Sequence, residues 1–204
     1  MSSLKKKTRL AQEADPVERA AFQKKQRRLD VRRLIFIDEF GIHRAMSRVY
    51  ARAPRGERAR VTEPVERGRN ISVITALRLS GVRATMMIEE AVDGRVWDLY
   101  IEHFLIPELQ PGDLILVDQI GFHGSRRAIG LIRAARARIE ELPSHSPDFD
   151  PVEECISKIK GALRSSRART DRGLERALER AIKQVTPEDI RGWFKHCGYT
   201  HLLD

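Results

Sequence analysis

The chain has little cysteine and no long apolar run. Its 204 residues contain two cysteines, Cys155 and Cys197, which form no Cys-x-x-Cys pair and have no histidine at a zinc-finger spacing. We therefore expect two reduced thiols and no zinc site. No stretch approaches the roughly 20 apolar residues that span a bilayer, and the first residues lack the apolar core of a secretory signal. These absences favour a cytoplasmic protein.

Positive charge is abundant but unevenly distributed. The formal net charge is +9, and residues 1–33 alone contain 11 Lys/Arg against 4 Asp/Glu. Two further basic stretches follow. Their members are Arg44, Arg48, Arg52, Arg55, Arg58 and Arg60, then Lys158, Lys160, Arg164, Arg167 and Arg169. Basic clusters near carboxylates are typical of proteins that hold phosphates beside a metal, although a solvated basic surface is the alternative for any one cluster.

Two strongly apolar runs are each followed by an aspartate. Residues 34–37 precede Asp38, and residues 114–117 precede Asp118. Short runs of this kind predict central strands that are buried on both faces of a sheet. We therefore expect Asp38 and Asp118 to stand where two neighbouring strands end.

The rest of the pattern predicts an α/β protein. Five strands are expected, the first three in an antiparallel meander. They cover 33–38, 70–77, 82–88, 114–118 and 138–143. Helices are expected around them at 15–28, 96–105, 125–136, 151–167, 174–185 and from 186 onward. This order is that of a ribonuclease-H-like mixed five-stranded sheet flanked by helices, in which the first and fourth strands are neighbours.

A turn rich in carboxylates opens the helix at 151. Asp150 and Pro151 followed by Glu153 form a capped helix start, in which Asp150 accepts from backbone amides and Glu153 reaches back as in a capping box. A second function for Glu153 is also open. From the first helical turn it can lean over Asp38 and Asp118 and complete a metal-binding acidic triad.

Three carboxylates in one place need a cation. Two unit charges about 4 Å apart repel by about 4 kcal/mol at an effective dielectric constant near 20, so such groups take up protons or bind metal. Oxygen ligands without His or Cys favour Mg²⁺ or Mn²⁺. Two such ions, roughly 3.5–4 Å apart, would activate a water or a 3′-hydroxyl for displacement at a phosphodiester.

Neighbouring acids offer alternatives to this triad. Glu39 and Glu154 lie beside two of the proposed ligands in sequence and are potential substitutes for them. We expect Asp148 and Asp150 to be turn and cap residues instead of ligands.

Four short motifs occur in order along the chain. They are Phe36-Ile37-Asp38-Glu39, the run Arg-Ala-Pro-Arg-Gly at 52–56, Pro111-Gly112-Asp113 leading to Asp118, and Ser-Pro-Asp-x-x-Pro-x-Glu at 146–153. Between Asp118 and Glu153 lie 34 residues. In these motifs and this spacing the chain resembles the bacterial insertion-sequence transposases of the mariner-like superfamily, over roughly residues 15–200.

The resemblance implies a fold, an activity and a set of site residues. The fold would be a retroviral-integrase-type catalytic domain at 33–168. The residues themselves predict the flanking parts: 1–32 is so polar and basic that we expect an arm and a connector helix, and the apolar faces within 169–204 predict helices packed on the catalytic domain. Asp38, Asp118 and Glu153 would be the catalytic acids for DNA strand cleavage and strand transfer at transposon ends, with His123 as an auxiliary group. DNA contacts are expected from basic side chains: Arg48, Arg52, Arg55, Lys158, Lys160, Arg164 and Arg167.

The chain also departs from this family pattern. Phe40 stands where a small residue is usual, and Gln119 and Asp150 stand where asparagines are usual. Residues 1–33 cannot hold the helix-turn-helix modules that bind transposon ends, so we expect a separate or fused N-terminal portion to supply them, and a homodimer to join two ends. A catalytically impaired remnant that binds DNA or a partner transposase is the alternative function, and a host nuclease of the same fold is a third.

Overall fold

A mixed five-stranded sheet lies at the centre of the computed structural model, which describes residues 11–48, 50–60, 62, 66, 68–118 and 125–203. The strands are β1 Leu34–Ile42, β2 Ile71–Arg78, β3 Gly81–Ile88, β4 Leu114–Val117 and β5 Arg138–Glu141. Their order in the sheet is β3-β2-β1-β4-β5. The first three pair antiparallel, and β4 and β5 add in parallel beside β1. The predicted meander and the predicted pairing of the first and fourth strands are therefore confirmed.

Within the described part of the chain, six α-helices surround this sheet. They are α1 Pro16–Gln26, α2 Gly94–Tyr100, α3 Arg126–Ala134, α4 Pro151–Ser166, α5 Asp171–Lys183 and α6 Pro187–His196. Each begins after a side chain that accepts a hydrogen bond from an amide of its first turn, which satisfies donors that have no partner inside the helix. These caps are Asp15, Asp93, Ser125, Asp150, Thr170 and Thr186. No helix of the described residues is long and apolar enough to cross a membrane.

Alternating side chains of β1 divide the apolar core into two layers. Phe36, Phe40 and Ile42 pack with α4, α5 and α6 on one face of the sheet. Ile35 and Ile37 pack with α2 and α3 on the other. Because successive strand residues point to opposite faces, Asp38 lies on the α4 face, between two buried phenylalanines.

β1 does not end at Asp38, as the sequence pattern predicted. Its antiparallel pairing with β2 continues to Ile42, whereas its parallel pairing with β4 ends at the pair Ile37–Val117. The strand therefore has neighbours on both sides only up to the acid. Beyond it, exposed and buried residues alternate, a pattern that differs from the fully apolar run before Asp38. The expected position is correct for Asp118, which follows β4 directly, and wrong for Asp38.

Helix α1 is docked on the loop that opens α4. Both terminal nitrogens of Arg19 donate to the carboxylate of Asp148, at 2.9 and 2.7 Å. The same guanidinium lies 4.4 Å from the centre of the Phe149 ring, and the Phe22 ring packs on Phe149 with 5.2 Å between centroids. The predicted connector helix thus supports the segment that carries Glu153.

The C-terminal helices complete the α4 face of the core. Phe194 and Tyr199 contact the Phe36 ring edge-on, with centroids 5.4 and 5.0 Å away. The Tyr199 hydroxyl donates to the Phe149 carbonyl at 2.7 Å. Both cysteines are buried and free, as predicted. The loop before α4 is therefore held by elements from both ends of the described chain.

Candidate active site

The three predicted acids converge at one edge of the parallel strand pair. Asp118 follows β4 directly and is exposed, one residue past the pair Ile37–Val117. Asp38 is the next residue of β1 after that same pair, so the two aspartates follow adjacent, paired backbone positions. Glu153 lies in the first turn of α4, on the side of the sheet that Asp38 faces. The charges of Glu153 and Asp118 both act on Asp38.

Asp38 is the acid whose environment is most unfavourable for a negative charge. Its burial raises the pKa from 3.8 to about 7, and repulsion from Glu153, Asp118 and Glu39 adds to this effect. The backbone N–H of Glu39 donates to Asp38 Oδ1 at 2.7 Å and acts in the opposite direction. A carboxyl group with such a pKa exchanges its proton for a cation at neutral pH.

Asp150 is a fourth carboxyl group in the same place. Its side chain is almost completely buried, with 3% exposed, and Oδ1 accepts from the Val152 N–H at 3.1 Å. The predicted helix cap is therefore confirmed. The predicted capping box is not seen, because the Asp150 N–H donates to the Pro147 carbonyl and this frees Glu153 from that function.

The environment of Asp150 bears on the departure from the family pattern, in which asparagine is usual at this position. Burial raises its pKa well above the ordinary value, and the charges of Asp38, Glu153 and Asp118 raise it further. Asp150 therefore resists ionisation and adds little negative charge beside Glu153. Sequence patterns identified the cap but could not show that it is buried against the triad.

The predicted auxiliary residues do not behave alike. Glu39 is exposed next to Asp38 and contributes to its raised pKa. Glu154 contacts helix α6 through a hydrogen bond of 2.8 Å between its Oε1 and Nδ1 of His196. His123, together with the departure at Gln119, lies outside the described residues.

Part of the predicted DNA-binding set lines one surface depression. Arg48, Arg52 and Arg167 border a cavity of about 520 Å³ together with Tyr50, whose side chain is 89% exposed. Arg48 is oriented by a hydrogen bond of 2.9 Å from its Nε to Ser165 Oγ. The structure thus brings arginines from the segment after β1 and from the end of α4 to the same place.

The remaining basic residues have other environments. Lys158 forms an ion pair with Asp189 of α6, so part of its charge is used inside the fold. The Lys160 ammonium lies 5.4 Å from the centre of the Phe40 ring. Phe40 itself is a core residue with 4% exposure. Arg55 is exposed, and Arg164 is half-buried on α4.

Comparison with known proteins identifies the family to which the chain belongs. A family model described as DDE superfamily endonuclease matches residues 33–175. The chain therefore belongs to the DDE superfamily endonucleases, as the four motifs predicted. No curated protein has a sequence that matches the chain significantly.

Solved structures of a mariner transposase have the same fold. A pre-cleavage Mos1 transpososome matches with a TM-score of 0.72 and 16% identity, over 98% of this chain and 65% of that chain. The Mos1 mariner paired end complex with Mn matches with a TM-score of 0.70 and 16% identity, over 97% of this chain and 64% of that chain. The catalytic domain of Mos1 mariner transposase matches with a TM-score of 0.64 and 13% identity, over 90% of this chain and 86% of that chain. The predicted ribonuclease-H-like fold is confirmed, and the chain spans about two thirds of the length of the Mos1 chains in the complexes.

Proposed function

We propose that this chain is the catalytic part of a DNA transposase, which cuts and joins DNA strands at transposon ends. The observation that carries the proposal is the convergence of Asp38, Asp118 and Glu153 within a DDE superfamily endonuclease domain. The similar solved structures include a Mos1 strand transfer complex and paired-end complexes. Their descriptions support the same reaction class for this chain.

The three acids would hold Mg²⁺ or Mn²⁺, and we propose two ions. The donor set fits, because all three groups offer hard oxygen atoms. It also fits because the half-buried Asp38 lies among like charges, which a divalent cation would compensate. Mos1 paired end complexes are described with Mn and with Mg. When bound, the metal supplies activation of the attacking hydroxyl and stabilisation of the leaving oxygen.

The protein's own contribution is to fix the carboxylates. Asp38 is held by its backbone pairing with Thr75 of β2, directly after the last pair between β1 and β4, and by the Glu39 N–H. Glu153 is held by the capped first turn of α4, and the loop before it is anchored by Arg19 through Asp148. Rigid support of this kind is needed because catalytic groups tolerate misplacements of only about 0.5 Å.

DNA would be held by a basic surface that runs along α4, the helix whose first turn carries Glu153. Arg48, Arg52 and Arg167 line one depression, and Lys160 and Arg164 extend the surface along α4. Because these side chains would contact phosphates, the affinity for DNA should fall steeply as the salt concentration rises. We further propose a homodimer that pairs two transposon ends, an N-terminal helix-turn-helix portion that recognises them, and action in the bacterial cytoplasm on nucleoid DNA.

A supercoiled-plasmid nicking assay tests the activity. We expect nicking with Mg²⁺ or Mn²⁺ and none with EDTA. Loss of one group that stabilises the transition state commonly costs about 10²–10³ in rate, so Asp118→Asn should reduce nicking by at least this factor. Asp118 is exposed, and its amide replacement should leave the fold intact.

The matched control replaces a remote acid. Glu179 is exposed on α5, and Glu179→Gln removes the same charge without touching the triad, so nicking should be unchanged. Nicking that persists undiminished in Asp118→Asn would overturn the catalytic assignment. Salt-sensitive DNA binding without any Mn²⁺ binding by calorimetry would instead support the impaired remnant.

A further inference from the structure

A second group of side chains that could bind a metal lies where the end of α6 meets the first turn of α4, separate from the triad. Glu154 of α4, His196 at the end of α6 and Cys197 directly after it each offer one ligand atom. These three atoms all lie within 4.8 Å of one another. The three residue types differ from the all-carboxylate triad, so the two places favour different metals.

The carboxylate of Glu154 is only half satisfied. Its Oε1 is 2.8 Å from Nδ1 of His196. Its Oε2 is buried and has no hydrogen-bond partner among the residues that the structure describes. A buried carboxylate oxygen without a partner is unfavourable, and a cation beside it would remove that cost.

Cys197 is fixed in place through its backbone. Its N–H donates to the Trp193 carbonyl at 2.9 Å, and its carbonyl accepts from the Gln26 side-chain amide at 2.7 Å. The next residue, Gly198, turns the chain with φ of +91°, and a Cβ there would lie 3.0 Å from Gln26 Oε1. The thiol is therefore presented by a turn that the surrounding structure holds.

The donor set is typical of zinc. A thiolate, an imidazole nitrogen and a carboxylate oxygen suit Zn²⁺ and disfavour Mg²⁺. Ligand atoms at ordinary zinc distances of about 2.0–2.3 Å lie roughly 3.5 Å apart in a tetrahedron. The observed group needs only a small contraction to reach that arrangement, since the exposed His196 side chain is free to adjust, with 76% of its surface accessible.

We propose that Glu154, His196 and Cys197 bind a zinc-type transition metal that ties the end of α6 to the first turn of α4. The sequence did not indicate this site, because His196 and Cys197 are adjacent and their partner lies 42 residues earlier. Since Glu153 directly precedes Glu154 in that turn, the ion would also stabilise the helix start that positions a proposed catalytic acid. The site does not depend on the proposed nuclease function.

Cobalt substitution tests the proposal directly. Co²⁺ is titrated into the full chain under reducing conditions while the near-ultraviolet thiolate-to-cobalt charge-transfer band is followed. Only a thiolate ligand gives this band, so Co²⁺ at the triad does not interfere. We expect one equivalent of band-forming Co²⁺ in the wild type, displaced by Zn²⁺ and retained in Asp38→Asn.

Matched variants identify the ligands. Cys197→Ser should abolish the band, whereas Cys155→Ala, which removes the chain's other buried thiol, should keep it. Loss of a residue that only hydrogen-bonds to a metal ligand commonly costs about 10–100-fold in metal affinity. His196→Gln removes a ligand itself and should therefore weaken Co²⁺ binding at least tenfold. Because the His196 side chain is exposed, the variant should still fold. Circular dichroism checks the fold.

Two outcomes would overturn the zinc site. One is the absence of any charge-transfer band at millimolar Co²⁺ in the folded wild type. The other is a band that His196→Gln leaves at full affinity. Neither outcome bears on plasmid nicking, so the zinc site and the nuclease stand or fall separately.

Discussion

Replacing Asp38 with asparagine should stabilise the metal-free protein while it abolishes metal-dependent activity. The half-buried Asp38 carboxyl has a pKa of about 7 in the folded chain, against an ordinary 3.8. The unfolded chain therefore releases this proton at lower pH than the folded chain. The resulting loss of stability is absent below about pH 4, grows as the pH rises to 7, and is constant above it.

The size of this effect follows from the pKa shift. About three pKa units at about 1.36 kcal/mol each correspond to about 4 kcal/mol at pH 8 and well under 1 kcal/mol near pH 4. Asparagine keeps an oxygen that can accept from the Glu39 N–H and introduces no charge. The variant should therefore gain up to this amount at pH 8, where each kcal/mol raises the Tm by roughly 2–4 °C.

Thermal unfolding in EDTA at pH 4.5 and pH 8 measures the difference. Asp38→Asn should unfold at a higher temperature than the wild type at pH 8, and this gain should shrink to about a quarter, about 1 kcal/mol, at pH 4.5. Added Mg²⁺ should stabilise the wild type alone. Glu153→Gln is the control, because this acid is exposed and its removal relieves Asp38 only indirectly. A variant less stable than the wild type at pH 8, or a gain that does not vary with pH, would refute the argument.

Three further predictions concern the support of the site and its DNA surface. Arg19→Ala should lower the free energy of unfolding by about 1–2 kcal/mol, since a charged hydrogen-bonded pair and a ring contact are lost, whereas Arg32→Ala, on an exposed ion pair, should change it far less. Gly198→Ala should cost about 1–2 kcal/mol in urea unfolding because of its positive φ, whereas Gly130→Ala, exposed in α3, should stabilise by about 0.5–1 kcal/mol. Arg167→Gln should weaken DNA binding and reduce its logarithmic salt slope by about 1 in a fluorescence titration.

Each of these predictions has a definite contrary result. Equal losses in Arg19→Ala and Arg32→Ala would mean that the contact between α1 and Asp148 does not hold the loop. A neutral Gly198→Ala would show that the turn after Cys197 is not constrained. An unchanged salt slope in Arg167→Gln would place the DNA elsewhere.

The strand order and the convergence of the triad were predictable because local signals carry them. A four-residue apolar run such as Leu114–Val117 between a turn and an aspartate allows few interpretations other than a buried strand. Two such runs, placed as first and fourth strands, bring Asp38 and Asp118 to the same edge. The cap at Asp150 then fixes the start of α4 and so places Glu153 in its first turn.

Other features depend on contacts that no local pattern contains. Arg19 meets Asp148 across 129 residues, and α1 was expected to be a connector because its sequence is so polar. The extension of β1 beyond Asp38 is determined by pairing with β2, which the apolar run alone does not show. The contact of Glu154 with His196 depends on how α6 packs on α4, which helical periodicity cannot specify.

The bonds between α1 and the distant loops have a consequence for synthesis of the chain. Gln26 binds the Cys197 carbonyl across 171 residues, and the Val31 N–H reaches the His201 carbonyl at 3.5 Å. Contacts between residues so far apart form late, because a long loop must first close. The β1–β3 meander can pair while the ribosome is still working, but Glu153 lacks its support until the last helices emerge. A chain interrupted before residue 187 would thus carry Asp38 and Asp118 without the Tyr199 contact that holds the loop before Glu153.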